Sequence, residues 1–123
     1  MTEKFTVSAR IKSMSAAVSG IKIMLREEHN ARIHLVVTGC VVVAAILLGA
    51  GKIDWLVLTL VISLVWITEA VNTAVENLAD KLCSDHDPLI GKAKDVACLA
   101  VALASVCAVV CGVLVFVPLL LAV

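Results

Sequence analysis

The stretch WLVLTLVISLVWITEAVNTAVENLAD, residues 55–80, is an apolar run that acquires an acid or amide at nearly every turn of its second half. Glu69, Asn72, Glu76 and Asp80 follow one another at spacings of three, four and four, which places all of them on one stripe of an α-helix. An ionised side chain at the centre of a bilayer costs about 2.5–3.5 kcal/mol on insertion scales. A stripe of this kind is not casual surface polarity. It faces other protein, water or a bound cation, and it makes the chain a membrane enzyme candidate.

Composition agrees. Of 123 residues, 62% are hydrophobic and only 16% charged, with no tyrosine, too apolar for a soluble domain of this length. Three segments approach the roughly 20 residues needed to cross the hydrocarbon core. Residues 33–51 carry no charge after His34, residues 55–80 carry acids only along the stripe after Trp55, and residues 96–123 hold no acid or base other than cysteine. The expected fold is all-α: an integral membrane domain with an N-terminal amphipathic surface helix (residues 1–30) and three transmembrane helices. With no long internal repeat and no low-complexity linker, a single domain is the simplest organisation.

The first thirty residues have another character. Val7, Ile11, Met14, Val18, Ile21 and Leu25 form an apolar stripe, while Lys4, Arg10, Lys12, Lys22 and Arg26 lie largely off it. Such a helix suits a headgroup layer, and it can at the same time pack on the bundle itself. It lacks the compact apolar core and cleavage site of a signal peptide. Nine of the ten Lys and Arg precede the first span or fall between the second and third; only Lys52 sits in the opposite loop. The positive-inside rule then puts the N-terminus and the loop at residues 81–95 in the cytoplasm.

Cys40, Cys83, Cys98, Cys107 and Cys111 form no metal-ligand pattern and read as small apolar packing residues. Ala100, Ala104, Ala108 and Gly112, at intervals of four, make a ridge that permits close helix approach, which concerns packing and not chemistry.

The cytoplasmic side gathers the chemistry: Glu27, Glu28, His29 and His34 before or at the first span, the stripe on the second, and Asp85 to Asp95 ahead of the third. Carboxylates with an amide are hard oxygen ligands suited to Mg²⁺, and Lys92 and Lys94 can hold phosphate oxygens as point charges. Glu27 is expected to pair with Arg26 and Arg32 on a solvated surface, and Asp85, His86 and Asp87 to act as turn residues before Pro88. Glu69, Asn72 and Glu76 resist such bland explanations, although they also suit a cation pathway in a small transporter or channel subunit. Against that rival, the third span offers no complementary ionisable residue. No Walker-type phosphate loop is present, because Gly91-Lys92 lacks both the upstream glycine and a following Ser or Thr.

Residues 69–80, EAVNTAVENLAD, together with GKAKD at residues 91–95, resemble the two signature blocks of the small prokaryotic diacylglycerol kinases. The first matches the pattern E-x-x-N-[ST]-A-[IV]-E-x-x-x-D. The resemblance covers nearly the whole chain and implies a homotrimeric kinase of the bacterial cytoplasmic membrane, moving the γ-phosphoryl of MgATP to a lipid alcohol, without a nucleic-acid partner. Carried over by position, it implies Glu69 as general base and Glu28 and Glu76 as ligands to Mg²⁺. It further implies Arg10, Asn72, Asp80, Lys94 and Asp95 as nucleotide-binding residues, in a site assembled from several helices across a subunit boundary. Residues 28–34, EHNARIH, together with Pro88-Leu89, look like the undecaprenol kinase branch, whereas Asp87 and Ala79 depart from the usual pattern.

Overall fold

The computed structural model describes residues 4–82 and 86–123, and these form four α-helices. They are α1 Val7–Glu27, α2 His29–Leu47, α3 Lys52–Leu82 and α4 Pro88–Leu121. Cys83, Ser84 and Asp85 lie outside the described residues, and with them the expected turn role of Asp85.

Each break between helices has a local cause. Thr6 caps α1, its hydroxyl accepting from the Ala9 N–H at 3.1 Å. Glu28 alone separates α1 from α2; its extended backbone (φ −106°, ψ 115°) turns the chain from one helix into the next. Arg32 secures that corner. Its Nε donates to the Leu25 carbonyl at 2.7 Å and its guanidinium to the Arg26 carbonyl at 2.6 Å. A cation thereby occupies the C-terminal end of α1, where helix carbonyls otherwise go unpaired.

The α2–α3 turn depends on Gly49, whose φ of 72° is left-handed backbone that favours glycine. Gly49 and Ala50 donate back to the carbonyls of Ile46 and Ala45 in a Schellman arrangement. The helix therefore stops short of the expected residue 51. Asp54 opens α3 by accepting from the Gly51 N–H at 3.0 Å. Asp87 accepts from the Leu89 N–H at 2.9 Å and Pro88 follows at the first helical position. As a result α4 begins at Pro88, well ahead of residue 96. Gly91, Lys92, Lys94 and Asp95, expected in a loop, are helical instead.

Three of the helices, α2, α3 and α4, are long and apolar enough to cross a membrane. Their outer surfaces expose Val36, Val43, Leu60, Leu103 and Val106, a distribution suited to hydrocarbon and not to water. α3 and α4 pack along each other, while α2 is held more loosely. At the end near Gly49, Ala45, Leu58 and Val115 form the buried core with Trp55 and Phe116 against it. Trp66 Nε1 donates to Thr38 Oγ1 at 3.0 Å and ties α2 to α3 midway.

The apolar stripe of α1 stays exposed from Val7 through Ile21, while Met24 is buried near the corner, where the end of the helix meets α2 and α3. An exposed apolar stripe of this kind suits a headgroup layer. On α4 only Ala104 of the small-residue ridge is buried, and a side chain on Gly112 would meet nothing within 4 Å.

Candidate active site

With 31 residues, α3 is about 46 Å long, against roughly 30 Å of hydrocarbon. If its Lys52 end lies at one interface, the last three turns project beyond the other. Exposure along the acidic stripe follows this length. Glu69 is 0% exposed and Asn72 6%, Glu76 is half-buried, and the Asp80 side chain is 70% exposed. The stripe is a ramp from sealed interior to open surface.

Other segments meet this ramp turn by turn. At its deepest point, His34 of α2 brings Nε2 to 3.4 Å from Glu69 Oε2. Higher up, Glu28 at the α1–α2 corner lies within hydrogen-bonding reach of Glu76. Partial burial raises the Glu28 pKa above the ordinary carboxylate value, and the charges and hydrogen bond of Glu76, then Glu69 and Glu27, push it in the same direction. Near the end of α3, Lys94 Nζ of α4 is 3.2 Å from Asp80 Oδ1. Within one chain Glu69 thus meets His34, Glu76 meets Glu28 and Asp80 meets Lys94, so no subunit boundary is needed to join Glu28 to Glu76.

Arg10 is not brought to this cluster by its own chain. It lies over the Phe5 ring at 5.7 Å, roughly 25 Å along α1 from Glu27. Asp95 follows Lys94 on the exposed surface of α4. Glu27 does not pair with Arg26 or Arg32 as expected; it accepts from Asn77 Nδ2 at 3.1 Å, while Arg32 is engaged by backbone carbonyls. Asp87 is the turn residue it was expected to be, as the α4 cap.

The pairing of His34 with Glu69 is what sequence reasoning missed. The available signal was a lone imidazole inside an otherwise apolar span, which by default marks function. His34 also lines a groove of about 560 Å³ between α2, α3 and α4, whose walls include Ile33, Val37, Val65 and Val109. Among the described residues no three His, Cys, Asp or Glu side chains form a closed metal cage. The Glu28–Glu76 pair is nonetheless a fit for a hard cation. Two carboxyls forced together repel, and Mg²⁺ is commonly held by one or two protein carboxylates with substrate phosphates completing the shell.

The model of the prokaryotic diacylglycerol kinases matches residues 15–116. The chain belongs to that family. It is therefore a lipid kinase, and its three long apolar helices are those of a membrane protein. Among similar proteins, the undecaprenol kinase of Bacillus subtilis (strain 168) is 33% identical over 107 residues, 87% of each chain. The diacylglycerol kinase of Synechocystis sp. (strain ATCC 27184 / PCC 6803 / Kazusa) is 36% identical over 110 residues. That alignment covers 89% of this lipid kinase but 63% of the Synechocystis protein. The matched region contains the whole ramp and its partners on α2 and α4, with Arg10 outside it.

Proposed function

We propose that this lipid kinase transfers the γ-phosphoryl of MgATP to the hydroxyl of a membrane lipid alcohol, undecaprenol in preference to diacylglycerol. The observation that carries the reading is the burial ramp on α3: one helix face runs from a sealed carboxylate to an exposed acid paired with lysine. A lipid can react at such a site without leaving the bilayer, and a nucleotide can reach it from water. The undecaprenol preference follows the likeness to the Bacillus protein and the EHNARIH run.

In this reading Glu69 accepts the proton of the lipid hydroxyl. The hydroxyl oxygen forms a bond to the γ-phosphorus as the bond to the bridging oxygen breaks, and that electron pair leaves with ADP. Phosphoryl transfer depends on alignment and charge neutralisation more than on covalent catalysis. Glu28 and Glu76 would hold Mg²⁺, which when bound neutralises phosphate charge. Asn72, Asp80, Lys94 and Asp95 would contact the nucleotide; Lys94, with three N–H donors, can reach phosphate while keeping Asp80. The N-terminus and the α3–α4 end face the cytoplasm of a bacterial cell, where ATP is available.

Incubating the purified membrane protein with γ-labelled ATP and a panel of lipid alcohols tests the function directly. Label in an extracted lipid phosphate supports it, and ATP-independent cation flux with no labelled lipid rejects it. Competition at equal membrane mole fraction reads the kcat/KM ratio for undecaprenol against diacylglycerol. Both carry a primary hydroxyl, and apolar contacts separate such acceptors only modestly, so measurable activity on each is expected.

The raised pKa of Glu28 sets a pH dependence. Below it, a proton on Glu28 competes with the cation; above it, the Glu28 carboxylate is free to bind. The Mg²⁺ concentration for half-maximal activity should therefore fall as pH rises through the interval above the ordinary value of 4.5. Glu76→Gln should flatten that dependence. Superimposable Mg²⁺ titrations of the parent protein across this range would separate the pair from the metal.

The homotrimer is proposed on the family resemblance, and the position of Arg10 gives it a use. Since Arg10 lies far along α1 from its own acidic cluster, a neighbouring copy is the cluster it would serve. Mixed oligomers of inactive Arg10→Ala and inactive Glu69→Gln chains should regain part of the activity. In verified mixtures, no recovery would place Arg10 outside the nucleotide site.

A further inference from the structure

His34 stands where the apolar groove meets Glu69, and the transfer described above makes no use of it. Its Nε2 and both Glu69 carboxylate oxygens are buried without a hydrogen-bond partner among the described residues. Unpaired buried polar groups are costly, so a facing set of them beside a groove that His34 lines points to a ligand that supplies the missing bonds. The ring is also held in place. Its centroid lies 6.4 Å from that of Trp66 at an interplanar angle of 65°, and Trp66 is in turn fixed by its bond to Thr38, one turn beyond His34 on α2.

We propose that His34 binds the hydroxyl of the acceptor lipid jointly with Glu69, with the lipid chain in the adjoining groove. The inference rests on the reading of Glu69 as the base. A facing carboxylate favours the imidazole tautomer with its proton on Nε2. An oxygen seated beside the 3.4 Å gap can stand at hydrogen-bonding distance from both atoms. The hydroxyl then donates its O–H to Glu69 and accepts from the His34 N–H, which leaves a lone pair for phosphorus. During transfer the O–H bond breaks, its proton passes to Glu69 and the O–P bond forms. His34 neither gains nor loses a proton. The groove is nearly all apolar, so this pair distinguishes an alcohol from a hydrocarbon of the same shape.

The test compares His34→Leu with His34→Gln, whose amide N–H can replace the donor. With farnesol as acceptor in mixed micelles, His34→Leu should lose about 10- to 100-fold in kcat/KM, the scale of one strong hydrogen bond, with the KM for ATP unchanged. His34→Gln should recover much of that loss. A second measurement needs no turnover. In a Trp55→Phe background Trp66 is the remaining tryptophan, and its emission can follow binding of farnesol and of farnesene, which lacks the hydroxyl. Farnesol should bind more tightly than farnesene, and His34→Leu should shrink that ratio. An unchanged ratio overturns the proposal. So does a loss of ATP affinity in step with alcohol use, because His34 would then only support the fold. Glu69→Gln serves as the separate control: if it keeps turnover, the base assignment fails; if it is inactive while His34→Leu matches the parent in both assays, only the role of His34 fails.

Discussion

Turnover of Glu69→Gln is expected to fall by about 10²- to 10⁴-fold, the range lost when a general base is removed, while MgATP binding stays close to that of the parent protein. The substitution suits the site. Glutamine keeps the volume of a side chain with no exposed surface, so the packing around it is preserved. It removes the ability to accept a full proton. Asn72, Glu76, Asp80 and Lys94 lie farther along the ramp and remain intact for nucleotide. Steady-state kinetics with a fluorescent-nucleotide titration separate the two effects. A kcat near that of the parent would take Glu69 out of the mechanism, and a parallel loss of nucleotide affinity would make it a structural acid.

A second large effect is expected at the Glu28–Glu76 pair. Glu28→Ala or Glu76→Ala should raise the Mg²⁺ concentration needed for activity by at least the roughly 10- to 100-fold that loss of an outer partner of a metal ligand costs. Each substitution removes a hard oxygen donor, and neither touches the His34–Glu69 contact. Saturating Mg²⁺ should therefore recover more activity in these variants than in Glu69→Gln. Lys94→Ala provides the contrast: it should weaken use of ATP and shift the Mg²⁺ requirement much less. Titrations of both glutamate variants that overlay the parent would remove the pair from metal binding.

The membrane class and the shared face of the acidic stripe on α3 were legible in the sequence because each depends on a local pattern. Apolar stretches near 20 residues match a hydrocarbon thickness, and spacings of three and four put Glu69, Asn72, Glu76 and Asp80 on one face whatever the helix packs against. The start of α4 was also encoded, by Asp87 and Pro88, but the charges at Lys92, Lys94 and Asp95 suggested a loop. A helix can extend beyond the bilayer into water, and there charge is no obstacle to it. The true end of α2 depended on the left-handed turn at Gly49.

What Glu69 and Glu76 meet was decided only by tertiary structure. His34 and Glu28 lie on another segment, and no periodicity relates them to α3; their positions depend on how α2 leans and rotates against it. That arrangement is set by the extended corner at Glu28, the Arg32 bonds to the end of α1 and the Thr38–Trp66 bond across the helices. The pairing of Lys94 with Asp80 likewise needs the packing of α3 on α4. By itself the sequence determined the helices and the polar face that one of them carries, because both follow from composition and a helical repeat. Tertiary structure chose the partners of that face, because helix rotation and crossing are settled by side-chain packing among residues distant in the chain.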